Sequence, residues 1–193
     1  MWKKLFLRLD AYEKLMRLDK PIGILLLLWP TLWGLWLSTD LSHPNWQVVW
    51  LFILCTLLMR SAGCVLNDLA DRQFDGLVAR TKNRVLVTGA VSVFEALLLA
   101  VILLSGALLV AIKLPNQSLF AWGLVGIAAI LAASYPFMKR FFVLPQAYLG
   151  LAFGMGIPLA CLQLQETIPV AVWCLFVANI FWVVAYDTEY AMV

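Results

Sequence analysis

The sequence predicts an all-α membrane protein, a polytopic bundle of transmembrane helices in one domain over residues 1–193. Of its residues, 64% are hydrophobic and 13% are charged, and the mean hydropathy is +0.92. Soluble domains carry about 25% charged residues, so this composition excludes an ordinary soluble enzyme. The net charge of +3 is too small to indicate nucleic acid binding. The lipid bilayer is therefore the expected surroundings of most of the chain.

Apolar segments set the number of membrane crossings. Each has roughly the 17 to 25 residues that a helix needs to cross the hydrocarbon core, whereas a barrel strand alternates over about ten. The sequence predicts six transmembrane helices, at residues 22–38, 46–66, 91–112, 119–137, 143–164 and 168–186. Pro30 and Pro158 are expected to kink their helices. Gly150, Gly154 and Gly156 are spaced to let another helix approach closely.

The segment before the first crossing, residues 1–20, is predicted to form an amphipathic helix at the membrane interface. Leu5, Leu9, Tyr12 and Met16 recur at helical spacing among basic residues.

The basic residues predict the orientation of the chain, because loops rich in Lys and Arg stay in the cytoplasm. With a cytoplasmic N-terminus, thirteen of the fourteen Lys and Arg residues fall on the cytoplasmic side and only Lys113 falls outside. The N-terminus and the 67–90 loop are therefore predicted to be cytoplasmic. The loops with Asp40, His43 and Glu166 are predicted to face out.

Residues 63–84 carry the predicted chemistry. Asn67, Asp71 and Asp75 are spaced i, i+4, i+8, and Asp68 precedes Asp71 by three, so all four oxygen-bearing side chains project along one face of a helix. Such carboxylates repel one another unless a cation neutralises them, and Mg²⁺ uses one or two carboxylates together with substrate phosphates. The spacing predicts a magnesium site for a phosphate-bearing substrate. The alternative is a solvated cytoplasmic loop.

Basic residues near this motif are candidates for contacts with the substrate. Arg72, Arg80, Lys82 and Arg84 follow the acids and could hold the outer oxygens of a diphosphate. Arg60 lies on the preceding apolar helix, where a charge is costly unless it faces a polar cavity. Its side chain could also extend to the membrane interface.

The pattern NDxxDxxxD at residues 67–75 resembles the first aspartate-rich motif of the UbiA superfamily of intramembrane prenyltransferases. Similar segments are RLDKPIG at 17–23, LLLLWPTLWGLW at 25–36, MRSAGCVLND at 59–68, YPFMKR at 135–140 and YDTEYAMV at 186–193, so the resemblance covers essentially the whole chain. The family has nine transmembrane helices and a second DxxxD motif directly after the YDTEYAMV-like segment. The chain is therefore expected to be a fragment, with half of the metal site and three helices missing and its activity alone in doubt.

The resemblance implies Mg²⁺-dependent transfer of a polyprenyl group from polyprenyl diphosphate to the carbon ortho to the hydroxyl of 4-hydroxybenzoate. This reaction belongs to ubiquinone biosynthesis at the bacterial inner membrane. The implied catalytic residues are Asp71 and Asp75, and the implied metal ligands are Asn67, Asp68, Asp71 and Asp75. Candidates for diphosphate binding are Arg72, Lys82 and Arg84, candidates for the benzoate carboxylate are Arg60, Lys139 and Arg140, and possible supporting residues are Tyr135, Tyr186 and Asp187.

Several of these residues could instead have roles outside catalysis and substrate binding. Lys139 and Arg140 could serve only as orientation signals, and Tyr135 and Tyr186 could belong to an aromatic belt at the membrane interface.

Other functions fit parts of the sequence. Residues 75–80 and Gly89 match the start of a CDP-alcohol phosphatidyltransferase motif, but the next acids would fall on Val93 and Leu97. A membrane transporter usually places its polar residues near the bilayer midplane, whereas these acids cluster at one face. Prenyl chain length stays open, and so does the acceptor, since homogentisate or naphthoate would suit the same spacing.

Overall fold

The computed structural model describes residues 2–39, 43–79 and 81–192, and over these ranges its regular structure is helical. Asp40 and Arg80, named above, lie outside the described residues. The helices are α1 (Trp2–Met16), α2 (Ile22–Leu37), α3 (Trp46–Asp75), α4 (Val93–Ala111), α5 (Leu119–Met138), α6 (Pro145–Gly154), α7 (Gly156–Leu162) and α8 (Val170–Ala191).

The six predicted crossings correspond to α2, α3, α4, α5, the α6–α7 pair and α8. By length and composition, five of them can cross a membrane when α6 and α7 are counted together. The sixth, α2, is apolar but has only 16 residues. The all-α fold with several membrane-spanning helices is therefore confirmed.

Helix α3 is longer than the predicted crossing. The apolar run ends at Leu66, yet the helix continues to Asp75 and has 30 residues. At about 1.5 Å per residue it exceeds the roughly 30 Å thickness of a hydrocarbon core. Its last turns therefore extend beyond the apolar part and carry the residues from Asn67 to Asp75.

The predicted fifth crossing is broken into α6 and α7 at Met155. Pro158 explains the break, because a proline ring clashes with the carbonyl four residues earlier, and that residue is Gly154, where α6 ends. By contrast, α2 continues through Pro30 without interruption.

Small side chains and glycines allow the helices to pack closely. Ala62 of α3 and Ala96 and Ala100 of α4 are buried in one cluster. Gly150 lies against α8, where an added Cβ would stand 3.1 Å from the backbone oxygen of Ile180. These contacts are the backbone approaches that small residues permit in membranes.

The N-terminal segment forms a helix as predicted, but the buried face differs from the expected stripe. Ala11 and Leu15 are buried against α3 and α4, and Tyr12 and Met16 pack beside them. Leu5 and Leu9 are exposed. The position of α1 at the membrane interface remains a prediction.

Charged contacts gather at one end of the bundle. There the acids in the last turns of α3 contact Arg17, Arg84, Lys139 and Arg140, and the last turns of α8 line a pocket with Arg60. At the opposite end, Asn116 donates from its backbone to Gln163 at 2.8 Å, and Gln165 donates to the carbonyl of Ser38 at 3.0 Å. The separation of a charged end from an end with neutral polar contacts agrees with the distribution of Lys and Arg along the sequence. The cytoplasmic location of the charged end remains a prediction.

Candidate active site

Two cavities lie along α3 at the charged end of the bundle. The Asp71 cleft is open, measures about 370 Å³, and is lined by Asp71, Phe74, Asp75, Val78, Lys139 and Arg140. The Arg60 pocket measures about 220 Å³, and its lining includes Arg17, Arg60, Phe153, Trp182, Tyr186 and Asp187. Tyr135 of α5 lies within electrostatic range of Arg60, Asp71 and Asp187.

In the Asp71 cleft, two cations from the end of α5 contact the acids of α3. The Lys139 ammonium donates to Asn67 Oδ1 at 2.8 Å and also to Asp71 Oδ2. Arg140 Nη2 donates to the Ala70 carbonyl at 2.9 Å and to Asp71 Oδ1 at 3.3 Å, and its guanidinium lies 4.8 Å from the Phe74 ring centroid. Because Lys139 caps α5, its charge also interacts favourably with the negative end of that helix dipole.

The other two acids share a different cation. Arg84 Nη1 lies 3.0 Å from Asp68 Oδ1 and 2.6 Å from Asp75 Oδ2. Arg17 adds a second contact to Asp68 at 3.1 Å, from a backbone in the left-handed region with φ of 58°. Asp68 is only 2% exposed, whereas Arg17 and Arg84 are partly buried.

The four oxygen-bearing side chains therefore divide into two pairs instead of forming one row. Successive i, i+4 steps advance about 40° around a helix, whereas an i, i+7 step returns to within about 20°. Asp68 and Asp75 are seven residues apart and share Arg84, while Asn67 and Asp71 face Lys139. The expectation of a single acidic face is thus only partly correct.

The chemistry of the cleft fits a divalent cation. In the described part of the chain, no three His, Cys, Asp or Glu side chains converge on one point. Mg²⁺ needs only one or two carboxylates, however, when water and phosphate oxygens complete its shell. Asn67 and Asp71 already direct two oxygens at one cation, the Lys139 ammonium, and Asp75 borders the same cleft. Asp68 lies too deep to join them.

In the Arg60 pocket, a positive charge lies beside aromatic rings. The Arg60 guanidinium is 5.7 Å from the Phe153 ring centroid, and its buried Nε has no hydrogen-bond partner among the described residues. Trp182, Tyr186 and Tyr190 follow at i, i+4, i+8 along α8, with stacked rings whose centroids are 5.8 and 6.2 Å apart. The pocket can therefore accept a flat ring that carries an anionic group.

Residues 27–193 match the profile of the UbiA prenyltransferase family. The chain belongs to this family. It is 60% identical over 192 residues to the 4-hydroxybenzoate octaprenyltransferase of Dechloromonas aromatica, covering 100% of this chain and 64% of the relative. It is 56% identical over 186 residues to the enzyme of the same name from Thiobacillus denitrificans, covering 96% and 62%. The chain thus spans less than two thirds of the length of these curated relatives.

Solved UbiA structures share the fold. The apo structure of a UbiA homologue from Aeropyrum pernix has a TM-score of 0.73 and 26% identity, covering 87% of this chain and 62% of that one. A UbiA homologue from Archaeoglobus fulgidus, solved bound to GPP and Mg²⁺, has a TM-score of 0.71 and 22% identity, covering 94% and 62%.

The predicted site residues lie in different parts of this UbiA fold. Lys139 and Arg140 lie in the Asp71 cleft, apart from Arg60, so the three candidates for binding the benzoate carboxylate occupy two cavities, and that role remains a prediction for each. Arg72 and Lys82 are exposed and line neither cavity. Their role in diphosphate binding remains a prediction.

Several residues that line or adjoin the Arg60 pocket were not predicted from the sequence. Arg17, Lys20 and Gly23 line the Arg60 pocket, and Phe153 contacts Arg60 from α6. The first three fall in the RLDKPIG segment, whose basic residues predict only the orientation of the chain. The resemblance of that segment to the family is the signal that could identify them, whereas nothing in the sequence marks Phe153.

Proposed function

We propose that the protein containing this chain transfers a polyprenyl group from polyprenyl diphosphate to 4-hydroxybenzoate, with Mg²⁺ as cofactor, for ubiquinone biosynthesis. One observation carries the proposal. A cleft with both carboxylates and cations, suited to a metal-bound diphosphate, lies on the same helix as an aromatic pocket lined by an arginine whose Nε is buried. The names of the curated relatives support the same reaction.

The Asp71 cleft is proposed to bind the diphosphate. Asp71, Asp75 and Asn67 would hold Mg²⁺, which when bound would neutralise charge on the diphosphate and stabilise it as a leaving group. Lys139 and Arg140 lie at the mouth of the cleft and can exchange their contacts with Asp71 for contacts with phosphate oxygens. That exchange would free the Asp71 carboxylate for the metal.

The reaction begins when the allylic C–O bond of the donor breaks and the diphosphate leaves with the electron pair. The ring carbon ortho to the phenol hydroxyl then attacks the allylic cation, and a new C–C bond forms. Loss of the ring proton, to the diphosphate or to Asp187, restores aromaticity. Negative charge grows on the diphosphate during the first step, so Lys139 and Arg140 would stabilise the transition state more than the ground state.

The Arg60 pocket is proposed to bind the aromatic acid. The unpartnered Nε of Arg60 favours binding of a carboxylate, because a buried charged donor without a hydrogen bond is energetically costly. Trp182 and Tyr186 can stack on the ring, and Asp187 lines the same pocket as a proton acceptor. Another aromatic acid acceptor would satisfy the same contacts.

The test is product formation from 4-hydroxybenzoate and polyprenyl diphosphate by the full-length protein in membranes. Asp71→Asn is expected to lower turnover about 100-fold or more, because it removes a carboxylate ligand of the Mg²⁺ that would stabilise the leaving diphosphate, and loss of one such electrostatic contribution typically costs about 10² to 10³. Chelation of divalent cations should abolish turnover, and added Mg²⁺ should restore it.

Asp10→Asn is the matched control, because Asp10 is exposed on α1 and, among the described residues, forms an ion pair only with Lys14. It should retain full turnover. Undiminished turnover in Asp71→Asn, with normal membrane insertion, would refute the assignment of the cleft.

A further inference from the structure

Gly23, in the first turn of α2, leaves the space that the Arg60 guanidinium occupies. A Cβ added at Gly23 would stand 2.7 Å from Arg60 Nη2 and 2.9 Å from Nε, closer than real Cβ contacts. The nearest atoms all belong to the far end of the flexible Arg60 side chain and not to a backbone. A side chain at position 23 would therefore displace Arg60 and leave the helix packing intact.

The guanidinium is enclosed from a second direction by Phe153 of α6. The Arg60 Cζ atom lies 5.7 Å from the Phe153 ring centroid, within the range of a cation–π contact. Gly23, Arg60 and Phe153 all line the Arg60 pocket. Arg60 Nε is buried without a partner among the described residues, and the residue lines the pocket, so this enclosure fixes the orientation in which the guanidinium meets whatever enters it.

We propose that Gly23 is a positioning residue that sets where Arg60 meets the carboxylate of the aromatic acceptor. The inference rests on the proposed function of the Arg60 pocket. It adds that acceptor affinity depends on the absence of a side chain on α2 as well as on the charge of Arg60. Glycine is otherwise unfavourable within a helix, and alanine has the higher helix propensity. Gly23→Ala therefore moves the charge without removing it and without weakening α2.

The experiment measures the apparent KM for each substrate and kcat, using the full-length protein in membranes. Gly23→Ala is expected to raise the KM for 4-hydroxybenzoate about tenfold, the effect of weakening one charged hydrogen bond. The KM for polyprenyl diphosphate should stay unchanged. Gly126→Ala is the matched control, because Gly126 is exposed on α5 and an added Cβ meets nothing within 4 Å. It should leave all three parameters unchanged.

A double-mutant cycle with Arg60→Ala tests whether Gly23 acts through Arg60. If it does, Gly23→Ala has no further effect on the 4-hydroxybenzoate KM once Arg60 is alanine. An additive effect would overturn the inference, as would an unchanged KM in Gly23→Ala where Arg60→Ala raises it. An unchanged KM in Arg60→Ala would instead refute the acceptor assignment of the proposed function.

Phe153→Leu provides a second variant that does not alter α2. It removes the ring on the other side of the guanidinium and should raise the same KM by a smaller factor. An unchanged KM in this variant would count against preorientation of Arg60.

Discussion

Arg84 joins the 76–92 segment to α3 through two buried acids, and its removal should destabilise the protein strongly. Arg84→Met keeps most of the apolar stem and removes the charge. Asp75 would then lose the only ion partner it has among the described residues, whereas Asp68 would keep Arg17. Their side chains are only 9% and 3% exposed, so water would compensate little for the loss.

The burial of these acids sets the expected loss of stability in Arg84→Met. Removing one partner of a buried ion pair costs about 3 to 5 kcal/mol, because the remaining charge is left uncompensated. Arg17 still pairs with Asp68, and Asp75 borders the open Asp71 cleft, where water can reach it after a side-chain rotation. We therefore expect the lower end, a loss of about 3 kcal/mol in the free energy of unfolding.

The assay is equilibrium unfolding in mixed detergent micelles, with Lys82→Met as the control. Lys82 is exposed, two residues from Arg84, and forms no ion pair in the described part of the chain, so its loss should change stability by less than about 0.5 kcal/mol. Adding Asp75→Asn to Arg84→Met should recover part of the loss, because it removes the uncompensated charge. Equal stabilities for Arg84→Met and Lys82→Met would refute the reasoning.

Three further predictions concern the scaffold. Glu95→Ala removes the Glu95 half of the α4 capping box and the hydrogen bonds that Glu95 accepts from Arg8 and Tyr12 of α1, so we expect a lower Tm and faster proteolysis of α1; an unchanged cleavage rate would contradict this. Gly150→Val should lower the unfolding free energy by more than about 2 kcal/mol, because its Cβ would meet the backbone of Ile180 at 3.1 Å, while Gly126→Val should cost far less. Gln163→Leu leaves the Asn116 backbone N–H without its acceptor and should lower the free energy of unfolding by about 1 to 3 kcal/mol, measured by thermal unfolding. Near-wild-type stability would contradict this.

The crossings and the location of the chemistry were predictable because they depend on local properties. An apolar segment in a bilayer must satisfy its own backbone hydrogen bonds, so hydropathy predicts helices and their approximate bounds. The helix break after Gly154 follows from the steric clash that the ring of Pro158 would make with the Gly154 carbonyl. The polar residues from Asn67 to Asp75 marked the site, since acids beside an apolar helix need a cation or a cavity.

The sequence by itself determined a polytopic helical protein of the UbiA family with a charged site at the end of one helix. Only the tertiary structure decided which charges meet. Arg17 reaches Asp68 across 51 positions and Lys139 reaches Asp71 across 68, contacts that depend on how α1 and α5 pack against α3. The same packing separates Arg60 from Lys139 and places Gly23 against Arg60. Such long-range proximity arises from helix packing and leaves no periodic pattern in the sequence.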